Sequence, residues 1–286
     1  MRCRLTLQVA LLCIIAWCLA STTAVHAQTA FETALAKKID SLFSPGATTN
    51  IQPAAAEIFP DDAIQSVMTP SGWGGYGSYV FGGIGGDYPE LYRQNKGDLI
   101  TSIGACTGNP IKAVNVAVGV NMTDVHRLRD FSTNIIVSRK LFKGTSVSVG
   151  GLQLLANSSQ SDAPGPTFYI AFSHAVQTVL SKTPGCSRLS YSIGIGTGRF
   201  LYKSPKDVEA GHGKYGTAVF GNISYEIFQH VNVIAEWSGM NLGFALGIRP
   251  FKNPLSLGLG VINITRYSGD KVNMAFTLGY PLSLNR

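Results

Sequence analysis

Large apolar side chains recur at every second position through most of the chain after Tyr76. Across residues 114–122, valines and a methionine alternate with alanine, asparagine and glycine, and the same pattern returns later in the chain. Such alternation is typical of β-strands, because successive side chains point to opposite faces of a sheet. The pattern predicts twelve strands, near residues 76–85, 97–106, 111–122, 131–140, 145–155, 166–176, 188–198, 214–227, 230–238, 241–249, 255–264 and 272–282.

The two faces of these strands differ in size and polarity. One face carries Val, Leu, Ile, Phe and Tyr, and the other carries Gly, Ala, Ser and Asn with almost no charge. A water-facing surface would carry Lys and Glu, so the small face is better explained as the interior of a barrel whose apolar face meets lipid. In hydrocarbon every backbone polar group must be paired, and the sheet must therefore close. The prediction is an all-β fold, a closed antiparallel transmembrane up-and-down β-barrel of about twelve strands over residues 75–286.

Composition agrees with this fold class and excludes several others. Only 14% of the 286 residues are charged, whereas ordinary soluble domains carry about 25% charged residues. Glycine accounts for 32 of the 286 residues, about 11%, against about 7% in ordinary domains. No run after residue 27 reaches the ~18 apolar residues of a membrane helix. These figures exclude disorder, a coiled coil and a basic nucleic-acid binder. They leave a membrane β-barrel or a soluble all-β protein.

The N-terminus indicates export. Arg2 and Arg4 precede the apolar stretch 5–20, and Val25 and Ala27 occupy the −3 and −1 positions before a cleavage site that follows Ala27. This pattern predicts a secretory signal peptide over residues 1–27, with an uncleaved membrane anchor as the alternative. Cleavage would leave Cys106 and Cys186. Their strands lie nearly opposite each other in a twelve-stranded barrel, and a disulfide needs Cα atoms within about 7 Å, so their bridging stays open.

Residues 28–74 differ from the barrel region. Phe31, Leu35, Ile39 and Leu42 share one face of a short amphipathic helix near residues 30–43, and a stretch rich in Pro, Ala and Asp follows. We predict a periplasmic helix and linker here. The small inward residues of the barrel would then make room either for water or for this helix.

Connection lengths and aromatic positions add two further expectations. Alternate connections are short turns and longer polar loops, which predicts short periplasmic turns and long outer loops. Tyr215 and Tyr225 lie ten residues apart on one predicted strand, and ten residues of a tilted strand cover roughly 25 Å, the height of the apolar band. Trp237 and Tyr280 lie near the ends of their predicted strands. These four aromatics are predicted at the lipid interface.

The alternation of large and small residues breaks at residues 150–151, which predicts a β-bulge there.

The C-terminal run resembles the signal by which outer-membrane barrels are recognised for assembly. It has a polar residue, Thr277, then Gly279, then two spaced apolar residues, Leu282 and Leu284. The resemblance implies the barrel-assembly machinery as a partner. Residues 70–284 also resemble a little-characterised class of bacterial outer-membrane barrels, through the segments 77–86, 192–200, 233–239 and 247–251. More loosely, the chain is similar to the barrel modules of YjbH-type envelope proteins, which implies a link to exopolysaccharide production.

The sequence carries no catalytic, cofactor or metal motif. No two of the histidines after residue 27 lie within ten residues of each other, so metal-ligand spacing is absent. Ser173 and His174 are neighbours on opposite faces of a strand and cannot form a nucleophile and base pair, and no G-x-S-x-G elbow occurs. We therefore predict a protein that is not an enzyme and needs no cofactor.

A few charged side chains fall at inward positions and are the candidates for lining the lumen. They either pair for structural reasons or form a filter for ions or sugars. These candidates are Lys112, Lys140, Glu226, Glu236 and Arg249.

Together these patterns predict an integral outer-membrane barrel of a diderm bacterium, with outer-membrane lipid as its surroundings. Its role would be structural or that of a small passive channel. The alternatives are a barrel enzyme that acts on outer-membrane lipid and a soluble secreted β-barrel or sandwich that binds a ligand. The sequence leaves the solute and the oligomeric state open.

Overall fold

The computed structural model describes residues 57–89, 97–125, 129–156, 165–265 and 271–284. The predicted signal peptide and the predicted helix near residues 30–43 lie outside the described residues. No helix in the described ranges is long and apolar enough to cross a membrane. Within these ranges the structure has one turn of 3-10 helix, Gly198–Phe200, one short helix, α1 (Pro205–Glu209), and fourteen strands. The strands are β1 (Phe59–Pro60), β2 (Tyr79–Tyr88), β3 (Asp98–Gly108), β4 (Asn115–Asp124), β5 (Arg129–Phe142), β6 (Thr145–Leu154), β7 (Thr167–Ala175), β8 (Cys186–Ser187), β9 (Leu189–Gly196), β10 (Val219–Phe228), β11 (Val231–Trp237), β12 (Leu242–Ile248), β13 (Ser256–Ile262) and β14 (Asn273–Ser283).

Twelve of these strands close into one barrel. Each strand from β2 to β7 and from β9 to β14 pairs antiparallel with its neighbours, and β14 pairs with β2 to complete the circle. The two short strands, β1 and β8, form a separate parallel pair. The predicted fold class and all twelve predicted strands are confirmed, with boundaries that shift by a few residues. Closure leaves no strand edge unpaired, which is what a sheet in hydrocarbon requires.

The small face of the strands points inward and the large apolar face points outward, as predicted. On β9, Ser190, Ser192 and Gly194 are buried, whereas Ile193 and Ile195 between and beside them are exposed. The same alternation runs through β10 to β14. A surface of exposed Ile, Val, Leu and Phe is unfavourable in water and suited to a lipid surround.

A cluster of aromatic rings breaks the rule that inward residues are small. Tyr169 and Phe220 pack inside with Phe200 of the 3-10 helix, and the rings of Phe200 and Phe220 have centroids 4.3 Å apart. Glycine on the neighbouring strand makes room for them. A Cβ on Gly194 would lie 2.3 Å from Cζ of Phe220. A Cβ on Gly196 would likewise lie 2.6 Å from Cδ2 of Phe200, so Gly194 and Gly196 each leave space for a ring.

The two ends of the barrel differ in their connections. At one end, here called the turn end, the strands join through residues 109–114, 143–144, 176–188, 229–230 and 249–255. At the other, the loop end, the connections are 89–97, 125–128, 155–166, 197–218, 238–241 and 263–272. Most loop-end connections are longer, in line with the predicted alternation. The placement of the turn end in the periplasm stays a prediction.

The break in alternation on β6 corresponds to a bulge. Thr133 of β5 pairs with Leu154, and Ile135 pairs with Gly151, so β6 holds one extra residue between Gly151 and Leu154. Gln153 in this stretch has a φ of 54°. The predicted bulge is confirmed, displaced toward the C-terminal side of the glycine pair.

Candidate functional site

Residues 61–75, here called the lumen segment, run inside the barrel. The segment starts at the turn end, where Asp62 contacts Arg249 and His230. It leaves at the same end, where the amide of Gly77 donates to the carbonyl of Gly108 at 2.9 Å and β2 begins. The segment therefore enters the lumen, turns and returns. This differs from the expectation of a periplasmic linker up to residue 74, because polar side chains of the barrel wall supply partners for its backbone.

Glu236 on β11 is the main anchor of the lumen segment. Its carboxylate accepts three consecutive backbone N–H groups, from Val67 at 2.6 Å, Met68 at 3.0 Å and Thr69 at 3.0 Å. It also accepts the hydroxyls of Ser66 at 2.7 Å and Thr69 at 3.0 Å. Glu236 is only 1% exposed. Charged acceptors form stronger hydrogen bonds than neutral ones, so this residue holds the tip of the segment deep in the lumen.

Further polar contacts hold the segment on both sides of this tip. Toward its start, Asn232 donates to the Asp61 carboxylate at 2.8 and 3.0 Å. Toward its end, the amide of Gly72 donates to Ser173 at 2.7 Å, and Ser148 donates to the carbonyl of Ser71 at 2.7 Å. The small polar residues of the inner face thus serve as hydrogen-bond partners for a chain segment.

Inward glycines on β12 and β13 make space for this segment. A Cβ on Gly247 would lie 2.2 Å from the carbonyl oxygen of Ile64, and one on Gly258 would lie 3.0 Å from a methyl of Val67. The sequence left open whether small inward residues accommodate water or the helix near residues 30–43. On this side of the barrel they accommodate the lumen segment.

A cavity of about 750 Å³ remains beside the lumen segment. It extends along β2 from Tyr79 near the turn end to Asp87 at the loop end, roughly 20 Å of the membrane normal for a tilted strand. Gly83 and Gly85 form the middle of this wall. Other lining residues come from the segment and from the adjacent strands, among them Trp73, Ser102, Asn115, Asn121, Ser138 and Thr277.

One cationic group of the 3-10 helix borders this cavity. Arg199 is exposed within the lumen and its guanidinium lies 5.8 Å from the centre of the Phe200 ring. Enclosure by the barrel lowers the pKa of Arg199, and the negative charge of Glu236 acts in the opposite direction. No pattern in the sequence marked Arg199 as a lumen residue, because it lies in a loop-end connection that turns inward only in the folded chain.

Four of the five charged candidates have inward placements. Glu236 and Glu226 are buried on β11 and β10. Lys140 pairs with Glu57, and the Arg249 guanidinium donates to Asp62 at 2.8 Å. Glu236, Lys140 and Arg249 contact residues of the segment 57–75, so they join the barrel wall to the chain that enters it.

Lys112, the fifth charged candidate, does not have the predicted inward placement. It is exposed in the turn 109–114, and β4 begins only at Asn115. The reason is local, because Asn109 accepts the amides of Ile111 at 3.0 Å and of Lys112 at 3.1 Å and so ends the strand pairing. Lys112 therefore does not line the lumen.

Three of the four aromatics lie at outward-facing strand positions. Tyr225 and Tyr280 are exposed on β10 and β14, and the indole of Trp237 donates to Thr217 at 3.1 Å. The prediction for Tyr215 is wrong, because Tyr215 precedes β10, which begins at Val219 after Ala218 with a φ of 60°. The Tyr215 ring packs against that of Tyr202 in a loop-end connection. Tyr215 and Tyr225 therefore do not span ten residues of one strand.

The C-terminal residues that resemble the assembly signal divide between the two faces of β14. Thr277 and Gly279 line the cavity, whereas Leu282 and Leu284 are exposed on the outside. Recognition by the barrel-assembly machinery stays a prediction.

One hydroxyl and imidazole pair lies outside the lumen. Oγ1 of Thr145 is 2.8 Å from Nδ1 of His174, and the His174 ring packs 5.5 Å from that of Tyr191. Phe172, on the same face of β7, is exposed on the outer surface. His126 lies outside the described residues. Within the described ranges, no group of three or more His, Cys, Asp or Glu is placed to hold a metal ion, and Cys106 and Cys186 are free thiols.

The closed twelve-stranded sheet, its apolar outer surface and the buried polar side chains of its lumen define an outer-membrane β-barrel. The sequence matches no family model and no curated protein. Solved structures similar in fold include the KdgM porin, at 15% identity and a TM-score of 0.42, which covers 71% of this chain and 98% of that one. The KdgM porin in complex with disordered oligogalacturonate has 14% identity and a TM-score of 0.41, covering 73% and 99%.

A further similar structure is the outer-membrane phospholipase A from Escherichia coli, at 9% identity and a TM-score of 0.38, covering 72% of this chain and 90% of that one. At such identities the activities of these proteins do not transfer to this chain. The comparisons do not show the expected similarity to the barrel modules of YjbH-type envelope proteins.

Proposed function

We propose that this protein is a narrow passive channel for small polar solutes, restricted by its own lumen segment. The observation that carries the proposal is the cavity along β2, from Tyr79 to Asp87, which lies beside the lumen segment held by Glu236. Its 750 Å³ has room for on the order of 25 waters. That volume suits ions and small solutes rather than folded chains.

The lining of the cavity supports passage of polar solutes. Ser102, Asn115, Asn121 and Ser138 offer hydroxyl and amide groups, and the two glycines in the middle of β2 leave that part of the wall free of side chains. A structural barrel would gain stability from a lumen filled with side chains, because close packing stabilises an interior. A cavity of this length that carries hydroxyl and amide groups is better explained by a water-filled path.

Cysteine accessibility during conductance recording tests the channel directly. The background carries Cys106→Ser and Cys186→Ser, and the full chain is inserted into planar bilayers. Ser102→Cys places a thiol in the cavity, and Ile103→Cys places the matched thiol on the outer face, where Ile103 is 69% exposed. A charged methanethiosulfonate should reduce current through the first variant only. Absence of current above that of empty bilayers would leave the structural role.

The second candidate is a barrel enzyme acting on lipid, which the Thr145 and His174 pair favours. A nucleophile needs a base, and the base needs a third group to orient it. His174 has no carboxylate partner among the described residues. The channel therefore remains the proposal. A role in exopolysaccharide biology, implied by the sequence resemblance, stays a prediction.

A further inference from the structure

Four buried oxygens on the inner wall of β10 and β11 have no hydrogen-bond partner among the described residues. One of them, Oδ1 of Asn222, lies further toward the loop end. The three that lie together nearer the turn end are Oγ of Ser224, Oε1 of Glu226 and Oδ1 of Asn232. These residues are 1%, 2% and 0% exposed, respectively. Glu226 and Asn232 are directly paired across the strands, which places their Cβ atoms about 5 Å apart. Buried polar groups are normally satisfied, so three orphans at adjacent inward positions need an explanation.

A second carboxylate faces the same place. The carboxylate of Asp61 in the lumen segment accepts two hydrogen bonds from the amide nitrogen of Asn232 and one from the backbone N–H of Ala63. Two carboxylates therefore approach the Asn232 side chain, that of Asp61 through its hydrogen bonds and that of Glu226 from the directly paired position on β10.

The basic side chains nearby contact groups other than the carboxylates of Asp61 and Glu226. Arg249 and His230 both contact Asp62, the residue next to Asp61. Arg188 donates from Nε to the backbone carbonyl of Glu226, and its guanidinium packs 5.4 Å from the ring of Tyr225. Within the described residues, Asp61 and Glu226 have no ion pair. Buried carboxylates are costly unless they are paired or coordinate a cation.

We propose that a calcium ion binds between Asp61, Glu226, Asn232 and Ser224, and so fastens the lumen segment to the barrel wall. The donor set consists of two carboxylates, an amide oxygen and a hydroxyl, with water completing the six to eight oxygens that Ca²⁺ takes. The set contains no nitrogen or sulfur ligand, which disfavours zinc. Mg²⁺ is also disfavoured, because it demands a strict octahedron. The proposal is independent of solute conduction.

Calorimetry on the full-length refolded protein tests the site. After treatment with a chelator, CaCl₂ is titrated into the protein in detergent, and MgCl₂ serves as the comparison salt. We expect one Ca²⁺ per chain and weaker binding of Mg²⁺. Glu226→Gln should weaken Ca²⁺ binding about tenfold or more, which corresponds to ~1.4 kcal/mol. Asp207→Asn, which changes a buried carboxylate in a loop-end connection, should leave the affinity unchanged within twofold.

The temperature at which the barrel loses its folded gel mobility provides a second measurement. Ca²⁺ should raise this temperature for the wild type and for Asp207→Asn but not for Glu226→Gln. If Glu226→Gln fails to fold, Ser224→Ala removes a neutral ligand and should weaken Ca²⁺ binding several-fold. Absence of a Ca²⁺ heat, or binding that survives both substitutions, would overturn the proposal, and water or a shared proton would then account for the orphan oxygens.

Discussion

The carboxylate of Glu236 accepts the backbone N–H of Val67 at 2.6 Å, across 169 positions of the sequence. Met68 and Thr69 donate to the same group. This arrangement joins the tip of the lumen segment to the barrel wall.

Replacing Glu236 with Gln should release the lumen segment. The substitution exchanges a charged acceptor for an amide whose NH₂ faces several donors, and the loss should be about 2–4 kcal/mol of stability. We expect a lower temperature for loss of folded gel mobility and a larger conductance in planar bilayers. Glu209→Gln is the matched control, because Glu209 is exposed on α1. Equal conductance for wild type and Glu236→Gln would argue against a restricting segment.

A side chain at Gly247 should exclude the lumen segment from its place. The new Cβ would lie 2.2 Å from the carbonyl oxygen of Ile64, which is backbone and cannot swing away. We expect Gly247→Ala to cost roughly 1–3 kcal/mol and to expose residues 61–75 to protease added to the folded protein in detergent. Gly279→Ala is the control, since nothing lies within 4 Å of its Cβ. Unchanged protease resistance in Gly247→Ala would show that the segment adapts.

A charge on the outer face should prevent stable insertion. Ile193 lies in the middle of β9 and is 57% exposed. Ile193→Lys should cost about 2–4 kcal/mol in a bilayer, measured as the folded fraction in phospholipid vesicles at increasing urea. Ile193→Leu should fold like the wild type. If the lysine variant folds equally well in vesicles, the apolar face does not meet lipid.

The Thr145 and His174 pair should support no lipid hydrolysis. His174 has no orienting carboxylate among the described residues, and a base without one is poorly placed to activate a hydroxyl. We expect hydrolysis of phospholipid in mixed micelles to match a no-protein blank for the wild type, His174→Ala and Thr145→Ala. An activity of the wild type that His174→Ala abolishes would make the protein an enzyme.

Much of the barrel was predictable because strand alternation is a local property. Val118 and Val120 face outward and Gly119 between them faces inward, as the period of two requires. The bulge near Gly151 was visible as a break in the same alternation. The prediction for Lys112 was wrong because a turn replaces the predicted start of the strand there. The Asn109 side chain accepts hydrogen bonds from the amides of Ile111 and Lys112, which ends the strand pairing.

The candidate site was only partly predictable. Glu226 and Glu236 stood out as charges at inward positions, and both are buried in the lumen. Their partners could not be inferred, because Asp61 and Val67 lie in a Pro-rich stretch without periodicity. The role of Arg199 was likewise hidden in a loop.

The sequence alone determined which residues face lipid and which face the lumen, since that choice depends only on the parity of positions along each strand. The tertiary structure alone decided what occupies the lumen. The lumen segment has no strand or helix pattern of its own, and its place depends on partners such as Glu236 that lie far away in the chain. Hydrogen bonds between such distant positions arise only once the barrel has closed.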